Sequence, residues 1–288
     1  MQKISKDHVV RTFDATHPPA ARVRPGAVFV METNDRFREW HDGKKWPMEQ
    51  LTVMTGPVFI EGVQPGQVLA VDILDIRPTQ GFGYVITIPG YGAFKDQVEF
   101  RKKIVPIEGN QIRYSEKITL PFTPNVSKIG LAPTNGPQSS NASGAFGGQL
   151  SNSQVGPGST VYLPVFVEGG LLTIEDVHAK MGDGEVAASA VEIAAEVTLR
   201  CGIASELKLN HPLVVTQKEV MTMGEGETVE AAVRIALDGL TRLLMERTGV
   251  DITEAAMLVS IAADLRISEM GGKPRHVRAA MAREIIGL

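Results

Sequence analysis

Residues 67–76 read Gln-Val-Leu-Ala-Val-Asp-Ile-Leu-Asp-Ile and follow a Pro65-Gly66 turn. Apolar side chains in this stretch alternate with polar or small ones, which is the two-residue period of a strand that buries one face. A helix would instead repeat its apolar positions every three or four residues. The stretch therefore predicts a strand that contributes one face to a hydrophobic core.

Similar runs, each with glycine or proline nearby, lie on both sides of this strand. They cover residues 9–13, 27–33, 57–62, 83–88 and 160–167. The last run contains Pro164, which cannot donate to a ladder and so predicts an edge position or a bulge. The 29 glycines and 17 prolines supply the turns that many short strands require.

The pattern changes near residue 220. Apolar residues recur at three- and four-residue spacing from Val229 to Leu244, with Thr228 placed as an N-cap and Gly249 as a C-cap. A second helix is predicted to start after Thr253. Its core-facing residues would be Ala256, Met257, Val259, Ser260 and Ala263.

Together these patterns predict a β-rich α+β protein. We expect a β-rich core over residues 1–215 and an α-containing C-terminal segment over residues 216–288 that packs on it. The alternative is that both parts form one continuous domain, which a chain of this length also permits.

Composition limits the possible functions. The net charge is −4, so no overall positive field is available to recruit nucleic acid or anionic lipid. Cys201 is the only cysteine, which rules out an intrachain disulfide and favours a reducing compartment. Residues 1–8 lack the apolar run of a secretory signal, and no apolar stretch approaches the roughly 20 residues that cross a bilayer. We therefore expect a soluble, cytoplasmic protein without nucleic-acid or membrane partners.

The densest group of ionisable residues lies between positions 175 and 185. Asp176 and His178 are two residues apart, so on a strand both side chains point to the same face. A carboxylate beside an imidazole suits a divalent metal or a proton relay. Asp183 and Glu185 repeat this spacing within a Gly-Asp-Gly-Glu turn. The alternatives are an ordinary hairpin turn at Asp183 and a surface pair of Asp176 and His178.

Three other features have open interpretations. Glu32-Thr33-Asn34-Asp35 ends a predicted strand and is either a ligand-binding end or a plain polar terminus. Residues 133–158, rich in Gly, Ser, Asn and Pro, form either an ordered loop that lines a site or a mobile surface loop. Glu192 and Glu196 would share a solvated face if helical. Surface or turn positions are expected for His8, His17, His41 and His211.

In chain order, several motifs resemble the acetamidase/formamidase family. They are Arg24-Pro25-Gly26, Glu32-Thr33-Asn34-Asp35, Gly56–Gly62, Pro65-Gly66-Gln67, Ile129–Pro133, Gly147-Gly148, Leu163–Leu171, Asp176-Val177-His178 and Gly182–Val186. The resemblance spans most of residues 9–270. It implies a β-sandwich or β-barrel with a small helical C-terminal part. It also implies a hydrolase that converts small linear amides such as formamide and acetamide to carboxylate and ammonia, and that forms a dimer.

The resemblance also implies a site. Asp35, Asp176 and His178 would bind a divalent metal ion, zinc in the first place and calcium as the alternative, that activates a water molecule. Asp183 and Glu185, with His178, would carry out the acid–base steps of catalysis. The substrate would be held by Gly147, Gly148 and Gln149, with backbone N–H groups of the two glycines directed at the developing oxyanion.

The central loop departs from the family pattern. Where the family shows His-Gly-Gly-Asn-x-Asp, this chain has Phe146 for the histidine, Gln149 for the asparagine and Ser151 for the aspartate. If the lost residues normally bind metal, the ligands must come from elsewhere. An alternative function is therefore a non-catalytic or specificity-shifted family member that binds a small amide-like or carboxylate ligand.

Overall fold

The computed structural model describes residues 1–35, 53–272 and 274–288, so His41 lies outside the described residues. The described strands, in chain order, are β1 (Gln2–Ile4), β2 (Val9–Val10), β3 (Thr12–Phe13), β4 (Ala21–Val23), β5 (Val28–Thr33), β6 (Met54–Ile60), β7 (Val68–Pro78), β8 (Phe82–Thr87), β9 (Arg101–Glu108), β10 (Gln111–Arg113), β11 (Thr119–Pro121), β12 (Asn125–Gly130), β13 (Gln138–Ser139), β14 (Ser143–Gly144), β15 (Gly147–Gln149), β16 (Thr160–Pro164), β17 (Leu172–Lys180), β18 (Val191–Glu192), β19 (Ala195–Ile203), β20 (Leu213–Val215), β21 (Glu219–Gly226), β22 (Ala263–Glu269) and β23 (Arg275–Ala282). The described helices are α1 (Val229–Thr248), α2 (Ile252–Ala262) and α3 (Arg283–Ile286).

Two large sheets make up most of the protein. The nine-stranded sheet has the order β1-β5-β19-β7-β16-β20-β21-β23-β22. The twelve-stranded sheet follows the path β11-β10-β9-β8-β18-β17-β12-β15-β14, and β6 pairs with β17 and also with β2 and β4. The β-rich prediction is confirmed. Neither path returns to its first strand, so the described residues contain no closed barrel, while the sandwich geometry stays a prediction.

The alternating stretch at residues 67–76 forms β7, near the middle of the nine-stranded sheet. Leu69, Val71 and Ile73 are fully buried, and the residues between them are partly exposed. β7 pairs with β19 on one side and with β16 on the other. The same hydrophobic cluster includes Val126 and Ile174 of the twelve-stranded sheet, so the two sheets share one core.

Pro164 lies in a strand with two neighbours, so the predicted edge position is wrong. It is the last residue of β16, which pairs with both β7 and β20. On the β7 side Pro164 stands opposite Val68, whereas β20 pairs only with Thr160, Val161 and Tyr162. Pro164 therefore lies past the end of the β20 ladder, where a missing N–H disturbs the sheet least.

The predicted caps of the first helix are confirmed. The Thr228 side chain accepts a hydrogen bond from the Ala231 backbone N–H, and Gly249 ends α1 in the left-handed region at φ 76°. Ala232, Ala236, Leu240, Leu243 and Leu244 are the buried stripe. The helix closes a second hydrophobic cluster over β20, β21 and β23.

The second helix differs from its prediction. It begins at Ile252 with Asp251 as the N-cap, and its buried residue is Ala255. Leu258, Val259 and Ala262 pack beside Ala255 at helical spacing, whereas Met257 is 63% exposed. The predicted core-facing positions of Ala256, Met257 and Ser260 are therefore wrong, because these residues are exposed. Ala263 lies beyond the helix and begins β22. The buried stripe of the helix therefore differs from the predicted one, because the helix packs on the protein through Ala255 and its neighbours at helical spacing.

The nine-stranded sheet runs across the predicted boundary between residues 215 and 216. β20 and β21 lie on either side of that boundary and pair with each other. β22 and β23 then complete the sheet. The division at this point stays a prediction. Among the described helices, none has both the length and the apolar composition that crossing a membrane requires.

Candidate metal and hydrolytic site

A central strand of the twelve-stranded sheet carries two of the predicted ligands. β17 lies between β12 on one side and β6 and β18 on the other, and all but its last residue are buried. Asp176 and His178 are 2% and 0% exposed, and 3.4 Å separates Oδ1 of the carboxylate from Nε2 of the ring. The surface-pair alternative is therefore wrong.

The backbone of Asp176 is strained. Its φ is 63°, in the left-handed region that residues other than glycine rarely adopt. Such a conformation costs about 1–3 kcal/mol and is retained mostly where function requires it. The strain marks Asp176 as a position at which geometry matters.

Glu192 adds a third group. It lies in β18, directly opposite His178 in the antiparallel ladder, and its Oε1 is 3.2 Å from His178 Nε2. The ladder register shifts just after this pair, between His178 and Lys180. One donor atom each from Asp176, His178 and Glu192 lies within 4.8 Å of the others, and all three residues are buried.

This donor set fits a divalent metal ion. Two carboxylates and one imidazole are ligands that zinc accepts, and three protein ligands leave room for water. Nε2 of His178 faces the two carboxylates, and within the described part of the chain its Nδ1 has no hydrogen-bond partner, although the ring is fully buried. A buried polar atom without a partner is costly unless another group binds it.

The electrostatics of His178 also favour a positive charge at this site. Burial lowers the pKa of the imidazole, but Glu192 and Asp176 outweigh that effect and hold the pKa well above its usual value. Two buried carboxylates beside one ring therefore favour a cation in their midst. A proton on the ring or a divalent ion beside it would supply that charge.

The loop at residues 133–158 lines this site, as one of its two interpretations predicts. Gln149 donates from Nε2 to Asp176 Oδ2 and to Ser151 Oγ, at 3.0 Å each. Ser151 Oγ in turn donates to Glu269 Oε2. Among the described residues, Gln149 Oε1 is buried without a hydrogen-bond partner. The loop thus positions Asp176 and presents one amide oxygen that is still able to accept.

The rest of the loop is closely packed. Phe146 stands where the family has histidine, and its ring lies 5.2 Å from that of Phe13 in a small apolar cluster. Gly147 and Gly148 both have φ 92° and lie between β12 and β14. A Cβ on Gly148 would come within 2.1 Å of the Ala142 carbonyl oxygen. The predicted role of the two glycines as oxyanion donors stays a prediction.

Asp183 and Glu185 have different surroundings. Asp183 accepts hydrogen bonds from Arg278 at 2.6 Å and from Ser153 at 2.7 Å. Burial raises the pKa of Asp183, but these bonds outweigh it and lower the pKa below its usual value. Burial raises the pKa of Glu185 to about 8; His178 lowers it and the nearby carboxylates, first Glu269, raise it. Glu185 therefore lies near the metal-ligand candidates, and its surroundings favour the protonated carboxyl group.

Asp35 has its own surroundings. It is 8% exposed and accepts a hydrogen bond from Gln80 Nε2 at 3.0 Å. Its charge also acts on Lys102, whose ammonium group lies 3.8 Å from the ring centroid of Tyr84, the residue paired with Glu192. The group of three donors described above does not include Asp35. Its role as a metal ligand stays a prediction.

Sequence reasoning missed three residues. The four-residue spacing of Glu192 and Glu196 suggests a solvated face only if they are helical, whereas both lie on strands and Glu192 is buried. Glu269 and His276, from the C-terminal strands, were not singled out at all. Their contacts depend on pairing between distant segments, which local spacing does not reveal.

Comparison with known proteins identifies the same family that the sequence motifs resemble. A family model described as "Acetamidase/Formamidase family" matches residues 3–136 and 137–270. An acetamidase from Bacillus halodurans has a crystal structure that is 33% identical, with a TM-score of 0.94 over 99% of this chain and 98% of that one. A predicted acetamidase/formamidase from Thermoanaerobacter tengcongensis is 32% identical, with the same TM-score, over 99% and 97% of the chains.

Curated relatives are more distant. An acetamidase from Mycolicibacterium smegmatis is 26% identical over 261 residues, which is 64% of this chain and 63% of that protein. The chain spans 57 to 63% of the length of the curated relatives it matches. The strand-rich fold with small C-terminal helices and the match along nearly the whole chain agree, and the chain belongs to the acetamidase/formamidase family.

Proposed function

We propose that this protein hydrolyses small linear amides of the formamide and acetamide type to a carboxylate and ammonia, with the help of a divalent metal ion. The observation that carries the proposal is the buried group of Asp176, His178 and Glu192. Membership of the acetamidase/formamidase family supports the substrate class. A divalent ion held by these residues would lower the pKa of a water molecule and polarise the amide carbonyl.

The protein's own groups supply the remaining steps. Burial raises the pKa of Glu185 to about 8, so its carboxyl group is suited to carry a proton to the nitrogen of the departing ammonia. Gln149 Oε1 can accept a hydrogen bond from the amide NH₂ group of the substrate. Asp183 is engaged by Arg278, which favours Glu185 over Asp183 for proton transfer.

The metal and the assembly belong to the same proposal. Zinc is proposed first, because one imidazole and two carboxylates form an open set of three ligands. Calcium would need about six to eight oxygen ligands, which this group does not offer alone. Asp35 remains a further ligand candidate. A dimer and a cytoplasmic location remain part of the proposal and follow from the family resemblance and the composition.

Ammonia release tests the proposal directly. The purified protein is assayed on formamide and acetamide before and after removal of metal with a chelator, and again after zinc or calcium is added back. We expect activity to fall with the metal content and to return with one of the two ions. Unchanged activity in protein shown by atomic emission to be free of metal would refute the metal role.

Two histidine variants make the test specific. His178→Asn removes a candidate ligand, and we expect loss of both bound metal and ammonia release. His8→Asn is the matched control, because His8 is exposed and its hydrogen bonds to Ser5 and Gly56 use its backbone. Thermal unfolding of both variants distinguishes loss of the site from loss of the fold.

A second function has its own support. Phe146 and Ser151 replace the family's loop histidine and aspartate, and Phe146 is packed into an apolar cluster with Phe13 and Met54. A non-catalytic or specificity-shifted member would bind a small amide or carboxylate without turning over formamide. Calorimetric binding of acetamide without any release of ammonia, in metal-loaded protein, would favour this function over hydrolysis.

A further inference from the structure

Three residues outside the metal-ligand group form a second chemical constellation. Ser143 Oγ lies 2.9 Å from Nε2 of His276 in a hydrogen bond. The other ring nitrogen, Nδ1, lies 3.2 Å from Glu269 Oε2. One ring nitrogen thus meets a hydroxyl and the opposite one meets a carboxylate. This is the order of contacts in a nucleophile, base and orienting acid.

The fold builds this arrangement from two hairpins. Ser143 lies in β14, which pairs with β15 of the central loop, and Glu269 and His276 stand opposite each other in β22 and β23. The ladder register shifts between Ile267 and Glu269, so Ser268 is the extra residue of a bulge. Bulges of this kind redirect the side chains that follow them.

The connection between β22 and β23 is braced from within. Arg275 donates hydrogen bonds to the carbonyl oxygens of Met270 and of Gly272. The Met270 N–H donates to the Gly184 carbonyl oxygen at 2.7 Å, and the Gly184 N–H donates to that of Ser268 at 3.2 Å. The hairpin that carries the base and the acid is therefore fixed against the segment that carries Glu185.

Burial and charge suit the assigned roles. His276 is 3% exposed and the Glu269 side chain 16% exposed, whereas Ser143 is half-buried. Burial raises the pKa of Glu269, but His276 and then Ser151 outweigh it and lower the pKa. Glu269 therefore stays ionised and orients the ring. Glu225 of β21 stands opposite His276 on the other side of the ladder.

We propose that Ser143 is a nucleophile, His276 its general base and Glu269 the residue that orients the base, so that this chain forms a covalent acyl-enzyme with small acyl compounds. For its substrate class the inference rests on the proposed amide hydrolysis, but the nucleophile itself requires no metal ion. The constellation is connected to the metal-ligand candidates through Glu269, Ser151, Gln149 and Asp176.

The covalent step balances as follows. Ser143 Oγ forms a bond to the carbonyl carbon while its proton passes to His276 Nε2. The bond from that carbon to the leaving nitrogen or oxygen then breaks, and His276 returns the proton to the leaving group. Water, deprotonated by His276, attacks the ester, the bond from carbon to Oγ breaks, and Ser143 recovers a proton. The products are a carboxylic acid and ammonia or an alcohol.

The test is a burst and adduct experiment on the full chain with p-nitrophenyl acetate. Protein with and without chelator is mixed with the ester, quenched in acid and analysed by peptide mass spectrometry. We expect a burst of p-nitrophenol and one acetyl group on the peptide that contains Ser143, in both conditions. Absence of that adduct in the wild-type protein would overturn the proposal.

Variants locate the acetyl group. Ser143→Ala should abolish the adduct, and His276→Gln should slow its formation by about 100-fold or more, the usual contribution of a general base. Ser139→Ala is the matched control, because Ser139 is an exposed serine of the same loop whose side chain accepts from the Asn141 backbone. It should acetylate at the wild-type rate. An unchanged burst in Ser143→Ala would contradict the assignment.

A further variant covers the case in which Ser143→Ala does not fold. Ser143→Cys keeps the shape of the side chain, and its alkylation by iodoacetamide should be slowed several-fold when His276→Gln is added. Equal alkylation rates would overturn the proposal.

Ammonia release from acetamide is measured in parallel. An adduct without ammonia release refutes only the proposed amide hydrolysis, and metal-dependent ammonia release without an adduct refutes only the nucleophile.

Discussion

A buried ion pair beside the site gives the sharpest prediction for stability. Lys128 Nζ lies 3.1 Å from Glu175 Oε2, and the two side chains are 0% and 1% exposed. Lys128 of β12 stands opposite Glu175 on one side and opposite Gln149 on the other. The pair therefore connects the strand that carries Asp176 to the loop that positions it.

Lys128→Met removes the buried positive charge and leaves the carboxylate of Glu175 inside the protein. Breaking one partner of a buried pair costs about 3–5 kcal/mol. At about 2–4 °C per kcal/mol for a chain of this size class, the melting temperature should fall by about 6 to 20 °C. The double variant Lys128→Met with Glu175→Met removes both charges. We expect its free energy of unfolding to lie within about 1 kcal/mol of the wild-type value.

Urea unfolding followed by circular dichroism, together with calorimetry, measures both variants. Arg113→Met is the control, because the Arg113–Glu108 pair is 2.8 Å long but its side chains are 54% and 59% exposed. An exposed pair of this kind contributes at most about 1 kcal/mol. A single Lys128→Met variant as stable as the control, or a double variant less stable than the single one, would refute the reasoning.

Three further predictions concern the site. The pKa of Asp183 is lowered, so its ion pair with Arg278 stabilises the fold fully above the usual carboxyl pKa of 3.8, and this stabilisation is lost as pH falls below 3.8. Asp183→Asn should therefore make the free energy of unfolding in urea depend less on pH in that acidic range. In the proposed mechanism Glu185 is the acid, and burial raises its pKa to about 8, so ammonia release should decline as pH rises through that value; Glu185→Gln should lower kcat by about 100-fold and remove the decline. Gln149→Leu should weaken zinc binding by about 10- to 100-fold in a competition titration, since it removes the hydrogen bond that holds Asp176; unaltered affinity would contradict that role.

Local periodicity predicted much of the fold. The alternation in β7 and the caps of α1 depend only on residues near one another in sequence, and both are confirmed. The pattern of α2 does not separate its buried face from its exposed face, because apolar residues occupy both. Which stripe packs is decided by the neighbouring segment, and periodicity alone does not identify that neighbour.

The candidate site was predictable only where its residues are neighbours in the chain. Asp176 and His178 share one strand, so their proximity follows from the period of two. Glu192 reaches His178 through strand pairing, and Glu269 reaches Ser151 across more than a hundred residues. Such contacts depend on sheet register, which a single sequence specifies only through the whole fold.

The two crowded glycines of the central loop also bear on protein engineering. Gly147 and Gly148 both have φ 92°, and an added methyl group would collide with the backbone oxygens of Ile129 and Ala142. Mutant libraries that aim to reshape this loop should therefore leave these two codons fixed. Diversity placed at position 149 would act on the candidate site directly, because that side chain contacts Asp176.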